Sequence, residues 1–156
     1  MKNMVDVDVI LDDRYPDPKI TIQTKARTEQ VENIIQAIES AAENEFPLIP
    51  GILNDKVELV SQRDIIRVYT EKRKIIIQTG DGSLFSNKTL MGIEDMLNPK
   101  RFFRISQSEI INLYKVRSFE FSIAGTIGVE LEDGTRTWVA RSRVKAIKVM
   151  IKGEKQ

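Results

Sequence analysis

A train of short β-rich runs, each closed by a turn signal, occupies most of the chain between residues 56 and 139 and leaves little room for helix. The runs are Lys56–Val60, Ile65–Tyr69, Lys74–Gln78, Ser83–Ser86, Phe102–Ile105, Val116–Ile123, Ile127–Leu131 and Thr137–Val139. Thr70-Glu71-Lys72-Arg73 joins the second to the third, and Asp81-Gly82 and Ala124-Gly125-Thr126 are hairpin signals. Asp133-Gly134 leads into the last run, on which Trp138 is expected to face the core. One short helix is predicted after Asn87 or Thr89, with Leu90, Ile93, Met96 and Leu97 inward and a stop at Pro99. A closing helix is predicted from about Ser142 to Lys152, with Val144, Ile147 and Ile151 as its apolar stripe. On it Arg141, Lys145, Lys148 and Lys152 form one basic stripe. The expected class is mainly β with flanking helices.

The first part of the chain reads differently. Val5, Val7 and Val9 alternate with Asp6 and Asp8, and Ile20 and Ile22 alternate with Thr21 and Gln23, patterns that predict two strands. Thr28 can cap a helix on which Val31, Ile34, Ile35, Ile38 and Ala42 share a face, ending before Pro47. Residues 1–48 are therefore read as an acidic strand–strand–helix unit, Pro50-Gly51 as a boundary, and residues 52–153 as a second domain.

Composition removes several functional classes. The 156 residues include neither Cys nor His, which excludes disulfides and thiolate chemistry and removes the commonest general base and metal ligand. No serine lies in a G-x-S-x-G or S-x-x-K frame, and no Walker A or G-x-G-x-x-G run is present. The Asp-rich start suits the wet face of an edge strand better than a metal site. No enzyme activity, catalytic residue, metal or cofactor is expected. There is no secretion signal or membrane-spanning run, so the expected location is the cytoplasm.

The net charge of +1 hides a gradient. Residues 1–55 carry 5 basic and 11 acidic side chains, whereas residues 99–156 carry 12 basic and 6 acidic. The C-terminal part is thus suited to an anionic partner. Within it, Arg101 to Leu113 sets a polar Ser106-Gln107-Ser108 stretch between apolar anchors, with Arg104 before it and Asn112 after it. Gln can pair with an adenine edge, and Ser and Arg can reach phosphate or base. A polar bend in a β-rich domain explains the same residues equally well.

The run Phe103-Arg104-Ile105-Ser106-Gln107-Ser108-Glu109-Ile110-Ile111-Asn112-Leu113-Tyr114-Lys115-Val116 resembles the core signature of LytTR-type DNA-binding domains. Leu131-Glu132-Asp133-Gly134 and Val139-Ala140-Arg141-Ser142-Arg143 resemble the family's ending, and Asp64–Tyr69 with its basic hairpin resembles its opening strands. The resemblance spans about residues 52–152 and implies a fold of about ten short strands, preceded here by the strand–strand–helix unit. It further implies that loops, not a recognition helix, enter successive major grooves of double-stranded DNA.

By position the readers would be three. The first is Glu71, Lys72, Arg73 and Lys74; the second is Ser106, Gln107 and Ser108 with Arg104 and Asn112; the third is Arg141 and Arg143 with Lys145. Ser106-Gln107 replaces the family's His-Arg pair, and Ala140 replaces a Ser. The N-terminal unit is too short for a receiver domain, which implies a free-standing regulator. The expected function is a sequence-specific transcriptional regulator acting as a homodimer. The N-terminal unit would serve self-association, a regulatory protein partner, or packing on its own DNA-binding domain. The alternative is a protein-interaction module that kept the fold and lost DNA recognition.

Overall fold

A computed structural model describes residues 5–43 and 46–153. The expected end of the first helix before Pro47 falls partly on residues 44–45, outside the described residues. The chain divides into two compact units, residues 1–37 and 38–156.

In the first unit the two predicted strands are absent: among described residues 5–28 there is no strand. Val7, Val9, Ile10 and Leu11 are exposed. Alternation is only a capacity for pairing, and here no neighbouring strand supplies the ladder that would satisfy the backbone. The helix is where the pattern predicts it. Helix α1 (Glu29–Glu43) begins at Thr28, whose hydroxyl accepts from the Val31 N–H at 3.3 Å. Arg27 bonds to Glu32 in its first turn.

The second unit holds ten strands. They are β1 (Ile49–Leu53), β2 (Lys56–Val60), β3 (Ile65–Glu71), β4 (Lys74–Thr79) and β5 (Gly82–Ser86), then β6 (Phe102–Ser106), β7 (Glu109–Asn112), β8 (Val116–Phe121), β9 (Ile127–Leu131) and β10 (Arg136–Val139). Helix α2 (Leu90–Glu94) follows β5, and α3 (Arg141–Gly153) follows β10. Seven strands form one sheet in the order β2-β1-β5-β4-β3-β7-β6, and three form a second, β10-β9-β8. Every pairing is antiparallel.

Each face of the large sheet is covered by a different layer. On one face, Val68, Ile77, Leu84 and Ile110 pack with Leu90, Ile93 and Leu97. On the other, Ile66, Ile105 and Ile111 pack with Ile127, Val129 and Leu131 of the small sheet and Ile147 of α3. A bulge between Ile65 and Arg67 shifts the phase of β3, so Ile65 and Val68, three residues apart, enter the same core while Ile66 enters the other.

Two further expectations need correction. Pro50-Gly51 is not a boundary but the middle of β1. The ladder from β1 to β5 is confined to Ile52↔Phe85, which leaves Pro50 on a stretch that behaves as an edge. Gly51 leaves room for Leu84, whose side chain would come within 2.9 Å of any added Cβ. The apolar anchor after the Ser106–Ser108 stretch is strand β7, buried along its whole length. Trp138 is not in the core; it is 62% exposed and lies over Gly128, while Val139 turns inward.

Candidate nucleic-acid interface

The three predicted reading segments are brought to one end of the large sheet by strand register. Strand β3 ends at the Lys72-Arg73 turn, where Glu71 pairs with Lys74. Its neighbour β7 runs the opposite way, so Tyr69 pairs with Glu109 and the Thr70 N–H donates to the Ser108 carbonyl at 2.9 Å. The β6–β7 hairpin carrying Gln107 therefore stands beside the β3–β4 hairpin. With strands about 4.8 Å apart, the two turns are centred two spacings, about 10 Å, from one another. The third segment joins at β6, where the Ala140 N–H donates to the Ile105 carbonyl at 2.8 Å. Arg141 thus begins α3 next to the Ser106–Ser108 bend.

Each loop is held in a defined shape. Lys72 (φ +50°) and Arg73 (φ +66°) both occupy the left-handed region required of the central pair in a two-residue hairpin with right-handed strand twist. The other such hairpin, β1–β2, uses Asn54 and Asp55, residue types that tolerate this conformation. Lys and Arg do not, so the basic turn carries backbone strain. Lys74 turns back over the Phe85 ring, 5.3 Å from its centroid.

The bend of the second loop is stiffened from within. The Ser108 N–H donates to the Ser106 hydroxyl at 3.1 Å, and the two hydroxyls lie 3.3 Å apart. Arg104 reaches over the bend, donating through Nε to the Ser106 carbonyl at 3.0 Å and through one terminal nitrogen to the Gln107 carbonyl at 2.6 Å. Its remaining nitrogen pairs with Glu94 at 3.1 Å. Arg104 is thus occupied by protein acceptors on all three nitrogens and fixes the loop. Gln107 and Ser108 are exposed and Ser106 is half-buried. At the third loop, Arg141 and Lys145 are exposed and Arg143 is half-buried.

Asn112 does not belong to this surface. It is fully buried, donating its amide to the Ile65 carbonyl at 2.7 Å and accepting from the Tyr114 N–H at 3.0 Å. Its amide nitrogen joins β7 to the start of β3 and its oxygen caps the turn at Leu113–Lys115, so it cannot contact a duplex.

Some cations of the second unit are neutralised and others are not. Arg67, Arg104, Lys115, Arg117 and Arg136 are paired with carboxylates. Among the described residues, Lys72, Arg73, Arg141, Arg143 and Lys145 have no such partner, and the Gln107 amide has no hydrogen bond. A surface of uncompensated cations around a free amide is suited to polyanion binding with base readout.

Sequence reasoning missed the support behind these loops. Glu109 is buried and accepts from Arg67 at 2.9 Å and from the Thr137 hydroxyl at 2.5 Å. Arg67 stacks 3.9 Å over the Tyr69 ring and donates to Gln78 at 2.8 Å. Gln78 in turn bonds to Asp133 and, at 3.1 Å, to Thr135. The network ties both sheets together beneath the loops. Its signal in the sequence was an arginine inside an otherwise apolar run.

The LytTr DNA-binding domain family model matches residues 55–152, nearly two thirds of the chain. The chain belongs to the LytTR DNA-binding domain family. Its members' function class, DNA-binding transcriptional regulation, applies to it. The transcriptional regulatory protein LytR of Staphylococcus aureus strain bovine RF122 / ET3-1 is 29% identical over 128 residues. That alignment covers 82% of this chain, which spans about half (51%) of the relative's length. An uncharacterized HTH-type transcriptional regulator of Staphylococcus aureus strain MSSA476 is 23% identical, covering 93% of this chain and 97% of the relative. A solved LytTr domain of a methyl-accepting/DNA response regulator from Bacillus cereus has the same fold. Its TM-score is 0.64 at 15% identity, over 67% of this chain and 96% of that one. Between residues 55 and 152, α2 and α3 are the only α-helices described, and five strands separate them. No described helix is long and apolar enough to cross a membrane.

Proposed function

We propose that this LytTR-family chain is a sequence-specific regulator that reads the major groove of double-stranded DNA with loops. Lys72-Arg73, Ser106-Gln107-Ser108 and the Arg141, Arg143 and Lys145 entry to α3 make the contact. Gln107 reads a base edge, the cations grip phosphate, and Arg104 holds the reading bend rather than touching the duplex. The observation that carries this reading is the convergence of three segments, remote in sequence, at one sheet end with their cations unpaired. The spacing of about 10 Å between the first two turns suits a groove about 12 Å wide.

The reading assigns no catalytic residue, metal or cofactor. It includes a homodimer on repeated half-sites and action in the cytoplasm, where the chromosome is found. The exposed Val7, Val9, Ile10 and Leu11 support a role for the N-terminal residues in self-association or in contact with a regulatory protein.

The test is selection of bound duplexes from a random pool, followed by a mobility-shift titration of the selected and scrambled sequences at several salt concentrations. The expected result is preference for the selected site and a log–log salt slope of about −0.9 per phosphate neutralised. Equal, salt-insensitive binding to both duplexes refutes the reading. The mass of the complex tests the dimer.

A further inference from the structure

Resting on that reading, we infer that the duplex footprint extends past the three loops to a fourth element, the β5–α2 connection, where Lys88 contacts the phosphate backbone. The placement follows from register. Strand β5 pairs with β4 so that Ser86 faces Ile75, one residue from the basic turn. Asn87 and Lys88 therefore emerge at the reading end of the sheet, on the far side of Lys72-Arg73 from Gln107.

The connection has a defined shape. The Lys88 N–H donates to the Ser86 hydroxyl at 3.0 Å, and Thr89 caps α2 by accepting from the Gly92 N–H at 2.9 Å. Lys88 is exposed and, among the described residues, has no carboxylate partner. Apart from the reading loops, it is the cation that register brings to this end from the opposite half of the sheet.

Strand spacing assigns its role. Strand β5 lies three and a half spacings, about 17 Å, from the centre of the β6–β7 turn. That exceeds the major-groove width of about 12 Å. With Gln107 and the basic turn in the groove, Lys88 meets the bordering sugar–phosphate strand and cannot reach a base. It contributes affinity without sequence preference.

The experiment compares full-length wild type with Lys88→Gln, Lys88→Arg and Lys56→Gln on selected and scrambled duplexes across a salt series. Lys56 is the net-charge control: it lies on the β1–β2 hairpin, joined to the sheet at Ile52↔Phe85, and belongs to no reading segment. The expected result for Lys88→Gln is a slope shallower by about 0.9, with equal weakening on both duplexes. Lys88→Arg should retain the wild-type slope, and so should Lys56→Gln. An unchanged slope in Lys88→Gln overturns the inference while leaving the three-loop reading intact. So does an equal change in Lys56→Gln. Wild type without salt-dependent binding overturns both.

Discussion

The hydroxyl of Thr137 donates to one carboxylate oxygen of Glu109 at 2.5 Å, while the other oxygen holds Arg67 at 2.9 Å. Glu109 directly follows the Ser106–Ser108 bend, and Thr137 stands four residues before Arg141. A single carboxylate thus fixes one reading segment against another, across the boundary between the two sheets.

Removing that carboxylate leaves the largely buried Arg67 guanidinium without its counter-ion. Glu109→Ala should destabilise the fold by about 3 kcal/mol, at the lower end for a broken buried pair because Gln78 and Tyr69 remain. Urea unfolding followed by circular dichroism measures it. Thr137→Val keeps the ion pair and should cost about 1 kcal/mol, the value of one hydrogen bond.

The basic hairpin should answer to substitution with opposite signs in stability and binding. Replacing Lys72-Arg73 by Asn-Gly puts residues that tolerate positive φ where they are needed. Relief of strain should stabilise the domain by about 1–2 kcal/mol and raise the unfolding midpoint. The same change removes two cations and should reduce the salt slope of DNA binding by about 1.8. A thermal melt and a salt titration of one variant decide both.

Gln107→Ala should act on preference. If the amide pairs with a base edge, discrimination between selected and scrambled duplexes falls by about 1–3 kcal/mol with the salt slope unchanged. Asn112→Ala should do the reverse, lowering stability while leaving the discrimination of the folded fraction intact, because its amide serves the interior.

Acid should loosen the β9–β10 turn. Burial works to raise the Asp133 carboxyl, but hydrogen bonds from Thr135 and Gln78 and the charge of Arg67 outweigh it and bring it below its ordinary value. The charged form is therefore favoured by folding. Its contribution is complete above the ordinary aspartate value, about 3.9, and is lost as pH falls through the lower folded value. Wild type should be more stable than Asp133→Asn near neutral pH, with the gap narrowing below about pH 4. Urea midpoints across that range test it.

The reading loops were legible because they are built from residue types that cores reject: adjacent cations at a turn, and a Ser-Gln-Ser stretch between apolar runs. Most strands were legible too, since turn chemistry separates them. What escaped has physical causes. Strand β7 is buried on both faces, so Ile110 and Ile111 show no alternation. Strand β1 contains Pro50-Gly51, ordinarily a break, because Gly51 makes room for Leu84. Trp138 follows the alternating pattern, but the inward phase belongs to Thr137 and Val139. Asn112 has the composition of a base reader and the environment of a core residue, a distinction that only the fold supplies. Val5 to Val9 carry a strand's pattern without the neighbour that would complete it.

Because Ile110 belongs to one core and Ile111 to the other, β7 is common property of both layers. Loss of either core would loosen the strand that the other also holds, and the Gln107 turn is rooted at the head of that strand. The amides of Ile110 and Ile111, buried and laddered on both sides, should be among the last to exchange with deuterium, while the exposed Gln107 amide exchanges from the folded state.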